Sequence, residues 1–448
     1  MLFASCSNYL DVKPQGKIIP ETAEDFSTII HYWLNEIEHG NDYAIISSPG
    51  EVKSLEMYAD DLNATLSSST SSYTPAYVGE RINDNDKFYT QLYSVIKDCN
   101  MVIGNLEDKD SELSKKLLGT AWGIRAISYY NMMLRYCEPY TPATAESTLG
   151  LPLVDEFDME AKPARANLKE TAEFIENSFN TALSYHVTDK DFIITASVVK
   201  AYLARFYFWT QNWSAAIGYA EPLLTEFPML EADEYADAIN QKQTPTHNVI
   251  VRSYTVDDEL AVWDYAAAQT DAKTRPVSAN LVKLFQTSAN DIRTAVAFDK
   301  TRTVAKAITA KFRSEELCLE IAECYAHLGK ETEALKYLNM LREKRISKDF
   351  VAYTKDNLPE VYAQHIVVDA TGQPLTRLMS AILCERRMEM FVEGDRWFEL
   401  KRNGSPEFWV AANGKKFVTE KYLYQFPLPK TDIDLFPGLV IQNPGYVE

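Results

Sequence analysis

The sequence predicts a mainly helical protein built from paired helices, with long irregular segments between them. Three observations carry this. Apolar residues recur at three- and four-residue steps through much of the chain. One helix–turn–helix pattern occurs twice with the same internal spacing. The stretches between the helical blocks are rich in Ser, Thr, Asn, Asp or Pro and lack any period.

From the start, Met1-Leu2-Phe3-Ala4-Ser5-Cys6 has the shape of a lipoprotein cleavage site, in which small residues precede a Cys whose thiol takes the lipid. Only five residues precede Cys6, so residues 1–20 read as a truncated signal followed by a polar tether with Pro14, Gly16 and Pro20. A helix begins near Glu21 and carries Phe26, Ile29, Ile30 and Trp33. From Lys87, the residues Phe88, Leu92, Val95, Cys99, Val102 and Leu106 mark a second. A third runs from about Ser111 to Tyr136, and a fourth near 168–184 aligns Leu168, Ala172, Ile175, Phe179 and Leu183. Then Ala204-Arg205-Phe206-Tyr207 matches Ala322-Glu323-Cys324-Tyr325, and Ala216-Ile217-Gly218-Tyr219 matches Ala334-Leu335-Lys336-Tyr337. Each unit reads helix, tight turn, helix, with Gln211-Asn212 or Gly329 at the turn, as in a tetratricopeptide unit. Residues 386–400 echo the turn, with Gly394 in the place of Gly329. Residues 60–86, 137–166 and 240–313 read as irregular, the last with short apolar runs.

Composition narrows the function. The net charge is −19, and the densest basic run, Arg342-Glu343-Lys344-Arg345, sits at a helix end, so nucleic-acid binding is not expected. Six Cys without a CxxC pair and six His without an HExxH give no zinc spacing. Asp84-Asn85-Asp86 starts like a calcium loop but lacks the Gly and closing Glu, and reads instead as a cap for the helix at Phe88. No nucleophile elbow, phosphate loop or dinucleotide fingerprint occurs, and no cofactor is expected. Beyond the N-terminal segment no apolar run is long enough to span a membrane.

In the C-terminal third, Glu385-Arg386-Arg387-Met388-Glu389-Met390-Phe391-Val392-Glu393-Gly394-Asp395-Arg396-Trp397-Phe398-Glu399-Leu400-Lys401-Arg402 resembles the signature of SusD/RagB-type nutrient-binding lipoproteins of Bacteroidetes. The tail, Phe426-Pro427-Leu428-Pro429-Lys430-Thr431-Asp432 and Asn443-Pro444-Gly445-Tyr446, is similar. So are Arg125-Ala126-Ile127-Ser128-Tyr129-Tyr130, Pro139-Tyr140 and Leu149-Gly150-Leu151-Pro152-Leu153, in the family's order. Cys137 departs from the Gly that many members carry. The resemblance implies about four tetratricopeptide-like helical pairs supporting a loop-rich ligand-binding region. It implies one SusD-like domain over 21–448, with an N-terminal part at about 21–230 and a C-terminal part at about 250–448. It further implies a lipid-anchored protein on the outer face of the outer membrane. Its expected partners are an oligosaccharide or peptide and a SusC-like TonB-dependent transporter, and it is expected to act without chemistry of its own.

Glu385, Glu389 and Glu393 stand one helical turn apart. One stripe cannot flank a glycosidic bond, so with Arg386, Arg387 and Arg396 nearby they are expected to form an ion network. Trp397-Phe398 is expected in the core. A surface glycoside hydrolase of helical-toroid type is the rival reading, and it needs two carboxylates from separate elements across a cleft. Ligand contacts are expected in loops, where aromatics stack on sugar rings and polar side chains hold hydroxyls. The 60–86 loop supplies Asp60, Asp61, Asn63, Tyr73, Tyr77 and Arg81, and the 252–275 stretch supplies Tyr254, Trp263, Asp264 and Tyr265.

Overall fold

The computed structural model describes residues 20, 22–63, 86–158, 160–242, 245–253, 259–412 and 415–446. Cys6, Tyr73, Tyr77, Arg81 and Tyr254 lie outside them. The first half holds α1 (Ala23–Glu38), α2 (Pro49–Tyr58), α3 (Lys87–Asn105), α4 (Glu112–Tyr136), β1 (Leu149–Pro152), β2 (Arg165–Asn167), α5 (Leu168–Ser184), α6 (Ala196–Trp209), α7 (Trp213–Glu226) and α8 (Tyr235–Ile239). The second half holds β3 (Val249–Arg252), α9 (Glu259–Lys273), α10 (Ala279–Phe285), α11 (Arg293–Ala297), β4 (Lys311–Arg313), α12 (Ser314–His327), α13 (Glu331–Glu343), α14 (Arg377–Glu389), α15 (Asp395–Arg402), β5 (Phe408–Ala412), β6 (Lys415–Thr419) and α16 (Lys430–Leu435). The strands pair only as antiparallel two-stranded ribbons, β1–β2, β3–β4 and β5–β6.

The helices begin where short polar side chains satisfy free amides. Thr22 and Asp25 close a capping box on α1, and Asn167 and Glu170 close one on α5. Ser111 caps α4. Asp86 accepts from the amides of Phe88 and Tyr89, so this end of the acidic triplet is a helix cap. At the far end of α4, the Lys401 ammonium donates to the Leu134 carbonyl at 2.6 Å, which satisfies an orphan acceptor.

Packing runs as a series: α3 on α4, α4 on α5, α5 on α6, α6 on α7, α7 on α12 and α12 on α13. The two repeat copies share more than their turn. Tyr207 stacks on Tyr219 with centroids 5.7 Å apart, and Tyr325 stacks on Tyr337 at 5.8 Å. Both turns contain a left-handed residue, Gln211 (φ 62°) and Gly329 (φ 70°). The third echo keeps the left-handed Gly394 (φ 81°), but its helices part, with α14 on α12 and α13, and α15 on α2.

One large apolar core joins α1, α3–α7, α12 and α13. A second lies between α2, α9, α10 and the end of α14 and includes Val52, Leu62, Val277, Phe285 and Phe391. A third surrounds Trp397, stacked on Tyr424 at 4.5 Å, so the Trp397 indole is core as its helical spacing predicts. Residues 240–313 are more regular than expected, with α9, α10, α11, β3 and β4. In particular, most of the 252–275 stretch is helix. Its Ala-rich run, Ala266-Ala267-Ala268, has the highest helix propensity, and Ala261, Ala268 and Ala272 face inward.

Candidate ligand-binding surface

The described start of the 60–86 segment, residues 60–63, lies beside the end of the 252–275 stretch. α2 packs on α9, and the residues that follow each helix pair in a short antiparallel ladder. The Asn63 amide donates to the Pro276 carbonyl at 2.8 Å, Leu62 bridges Val277, and the Ser278 amide donates to the Asp61 carbonyl at 2.7 Å.

Asp264 fixes the helix pair. Its carboxylate accepts from the Gly50 amide at 2.8 Å, in the first turn of α2, where a negative charge meets the positive end of the helix. The approach is so close that a Cβ on residue 50 would lie 2.5 Å from Asp264 Oδ1, which explains the glycine. Farther along, Lys53 pairs with Asp271 at 3.2 Å. Asp264 is therefore a positioning residue.

Trp263 is next to it on the outer side. The residue is 68% exposed, the most open Trp among the described residues. Ala266 and Thr270, at i+3 and i+7, continue the same exposed stripe and are too small to cover the indole. Asn63 is also exposed, at the edge of the ladder. Tyr265 is two positions away and so on another face of α9, where Lys242 stands 4.6 Å from its ring centre. Trp263 and Tyr265 thus form no shared platform.

Asp60 and Asp61 correct the expectation placed on them. Both side chains are buried, and both are engaged by arginines from the signature helices. Arg396 grips Asp60 at 2.7 and 2.9 Å, while Arg387 donates to Asp61 at 2.7 Å. Burial alone would raise the Asp60 carboxyl, but the two guanidinium groups outweigh it and hold the group well below its ordinary value. These aspartates anchor the surface from beneath and do not face it.

The three signature glutamates form the ion network. Glu389 accepts from Arg313 at 2.7 Å, from Arg345 at 3.0 Å and from Arg293 at 3.4 Å. Glu385 accepts from Arg293 at 2.8 Å and Arg342 at 3.2 Å. Glu393 meets Lys306 at 2.6 Å and Arg313 at 2.9 Å, and although burial opposes it, these cations hold its carboxyl at about 2. A general acid for glycoside cleavage needs a raised value and an open face; Glu389 and Glu393 are pushed the other way and their side chains are fully buried. Arg293, Arg313 and Arg345 come from three distant places in the chain. No local spacing reveals them; an Arg in an apolar stretch is the one available signal. Among the described residues, no group of three or more His, Cys, Asp or Glu is placed to hold a metal ion.

Residues 204–446 match the family model described as the SusD family. The chain belongs to that family. Residues 8–208 match a second model, described as starch-binding associating with outer membrane. The SusD-family chain resembles solved structures across nearly its whole length. A putative sugar binding protein from Bacteroides vulgatus ATCC 8482 superposes with a TM-score of 0.73 at 19% identity, covering 96% of this chain and 100% of that one. A SusD superfamily protein from Bacteroides thetaiotaomicron VPI-5482 gives 0.71 at 18% identity, covering 94% and 100%. At these identities the likeness is one of fold. A shorter match, 34% identical over 104 residues, is to the SusD-like protein P38 of Formosa agariphila; it covers 23% of this chain and 18% of that protein's length.

Proposed function

We propose that this SusD-family protein binds an oligosaccharide on the α2–α9 surface and passes it, unaltered, to a SusC-like TonB-dependent transporter. The observation that carries the reading is Trp263, a flat apolar ring left open on a helix that Asp264 locks to its neighbour. A pyranose ring offers a C–H face to such an indole and hydroxyls to polar groups, and the exposed Thr270 lies on the same stripe of α9. Holding the platform on two packed helices limits the ordering cost on binding. A relative named as a putative sugar binding protein and a family model described as starch-binding agree with it.

Lipid on Cys6 holds the protein at the outer membrane, facing outward. Two or more acyl chains there anchor stably where a single chain does not. A Cys6→Ala variant expressed behind a lipoprotein leader should leave the membrane fraction when the transporter is absent; retention there would sink the anchor.

The binding claim is tested by calorimetric titration against a panel of oligosaccharides, α-glucans included, with reducing ends assayed in the same samples. The reading expects one glycan class to bind and to be recovered intact. If every oligosaccharide fails to bind, or if the bound one is cleaved, the reading is wrong.

A further inference from the structure

The two halves of the chain meet around a small cavity bounded by α4, α6, β4 and the turn between α14 and α15. It measures about 110 Å³. A water molecule takes about 30 Å³ and small-molecule sites typically start near 300 Å³, so the space suits an ion with a water or two and is too small for a sugar ring.

The carboxylates of its wall are spent. Among the described residues, Glu316, Glu393 and Asp395 line it, and every oxygen of the three is taken. Arg205 and Arg386 hold Glu316, Arg386 holds Asp395, and Lys306 and Arg313 hold Glu393.

The donors are not spent. Tyr130 and Tyr202 line the cavity, each only 2% exposed, and neither hydroxyl has a hydrogen-bond partner among the described residues. Both hydroxyls feel the charges of Arg205 and Glu316, which belong to the same wall. Burial raises Tyr202 to about 12 and Tyr130 well above its ordinary value, so both keep their protons. The Trp209 indole N–H, which can only donate, is in the same position at 8% exposure. Buried polar atoms are normally satisfied, so three unpartnered donors around one cavity point to an acceptor from outside the chain.

Lys311 gives that acceptor its charge. Its ammonium lines the cavity, donates to the Ile239 carbonyl at 3.0 Å, and makes no ion pair among the described residues. Burial lowers it to about 7, and Glu393 offsets this only in part because Lys306 and Arg313 already claim that carboxylate. Buried charges are normally paired. Water can satisfy the hydroxyls but supplies no counter-charge.

We infer that this cavity binds a small inorganic anion, chloride or a halide of similar size, beside the Lys311 ammonium and against the Tyr130 and Tyr202 hydroxyls. The anion accepts from the hydroxyls and the indole and is the counter-ion that Lys311 lacks. It ties α4 and α6 of the first half to β4 of the second. The site is inside the fold and does not depend on the oligosaccharide reading.

The test uses the full chain. Crystals soaked in sodium bromide should show an anomalous peak between Tyr130, Tyr202 and Lys311, because bromide takes the place of chloride. In solution at pH 6 and constant ionic strength, the melting temperature should rise as sodium chloride replaces sodium gluconate, whose anion is too large for the cavity. The Y130F/Y202F variant loses two hydroxyls that bond nothing in the chain, so it keeps its fold. The chloride concentration at which its melting temperature begins to rise should move up about tenfold or more. The inference is overturned if no bromide peak appears there, if gluconate protects as well as chloride, or if Y130F/Y202F responds to chloride as the parent does.

Discussion

Glu389 takes hydrogen bonds from Arg293, Arg313 and Arg345, and none of these four side chains reaches solvent. Buried ion pairs stabilise little against an apolar replacement, but removing one partner leaves the others charged and unpaired. Glu389→Gln should therefore lower the unfolding free energy by about 3–5 kcal/mol, measured by urea titration. The glutamate stripe is legible in sequence because its spacing is local. Its partners are not, and the same gap misleads the reading of Asp60 and Asp61. In sequence they open a Ser/Asn/Asp-rich segment and look like solvated ligand contacts. In the fold, arginines 336 and 326 residues away claim them. A charged residue cannot be assigned to surface or core without its counter-ion, and a counter-ion that far off leaves no local mark.

At the level of helices, the apolar spacing and the observed starts agree. Thr22, Asp86, Ser111 and Asn167 each cap the helix that the apolar spacing predicts, because caps and spacing are both short-range effects. No apolar period marks α2 in the sequence, although Ser48, Pro49 and Glu51 make an ordinary helix start. α9 reads as loop in the sequence because its exposed Trp263 and half-exposed Tyr265 hide a weakly amphipathic pattern. Turn chemistry can be tested with two glycines. Gly329 has φ 70° and no atom within 4 Å of an added Cβ, so Gly329→Ala brings only backbone strain and should cost about 1 kcal/mol. Gly218, within α7 and equally uncrowded, should respond the other way, with Gly218→Ala stabilising by about 0.5–1 kcal/mol. Thermal unfolding of the pair checks both signs.

Over the whole molecule, the family resemblance made the fold legible where local spacing alone gave only helices. The signature at 385–402 is the segment on which α2, α12, α13 and the 60–63 stretch converge, so its residues are tied to many parts of the chain at once. The candidate ligand surface is legible in the sequence only in outline. Trp263 and Asp264 were singled out, but their different roles depend on how α9 turns against α2. The buried network also sets the response of the whole fold to acid. Burial opposes ionisation of Glu323 and Glu393, yet Arg402 and Arg313 hold both at about 2, against an unfolded value near 4.5. Groups lowered in this way stabilise the fold above pH 4.5, and that stabilisation is lost as the pH falls from there toward 2. The melting temperature should drop steeply over this window. In Glu323→Gln it should start lower and fall less steeply, and an equal slope in the two proteins would remove Glu323 from the acid response.

The central claim is that the open face of Trp263 is where oligosaccharide binds. The most direct measurement is calorimetric titration of the best-binding oligosaccharide into the wild-type protein and into Trp263→Ala, with circular dichroism confirming that the variant is folded. Since Trp263 is 68% exposed, removal of the indole should leave stability unchanged and cost about tenfold or more in affinity. A folded Trp263→Ala protein that binds the oligosaccharide as tightly as the wild type would contradict the account.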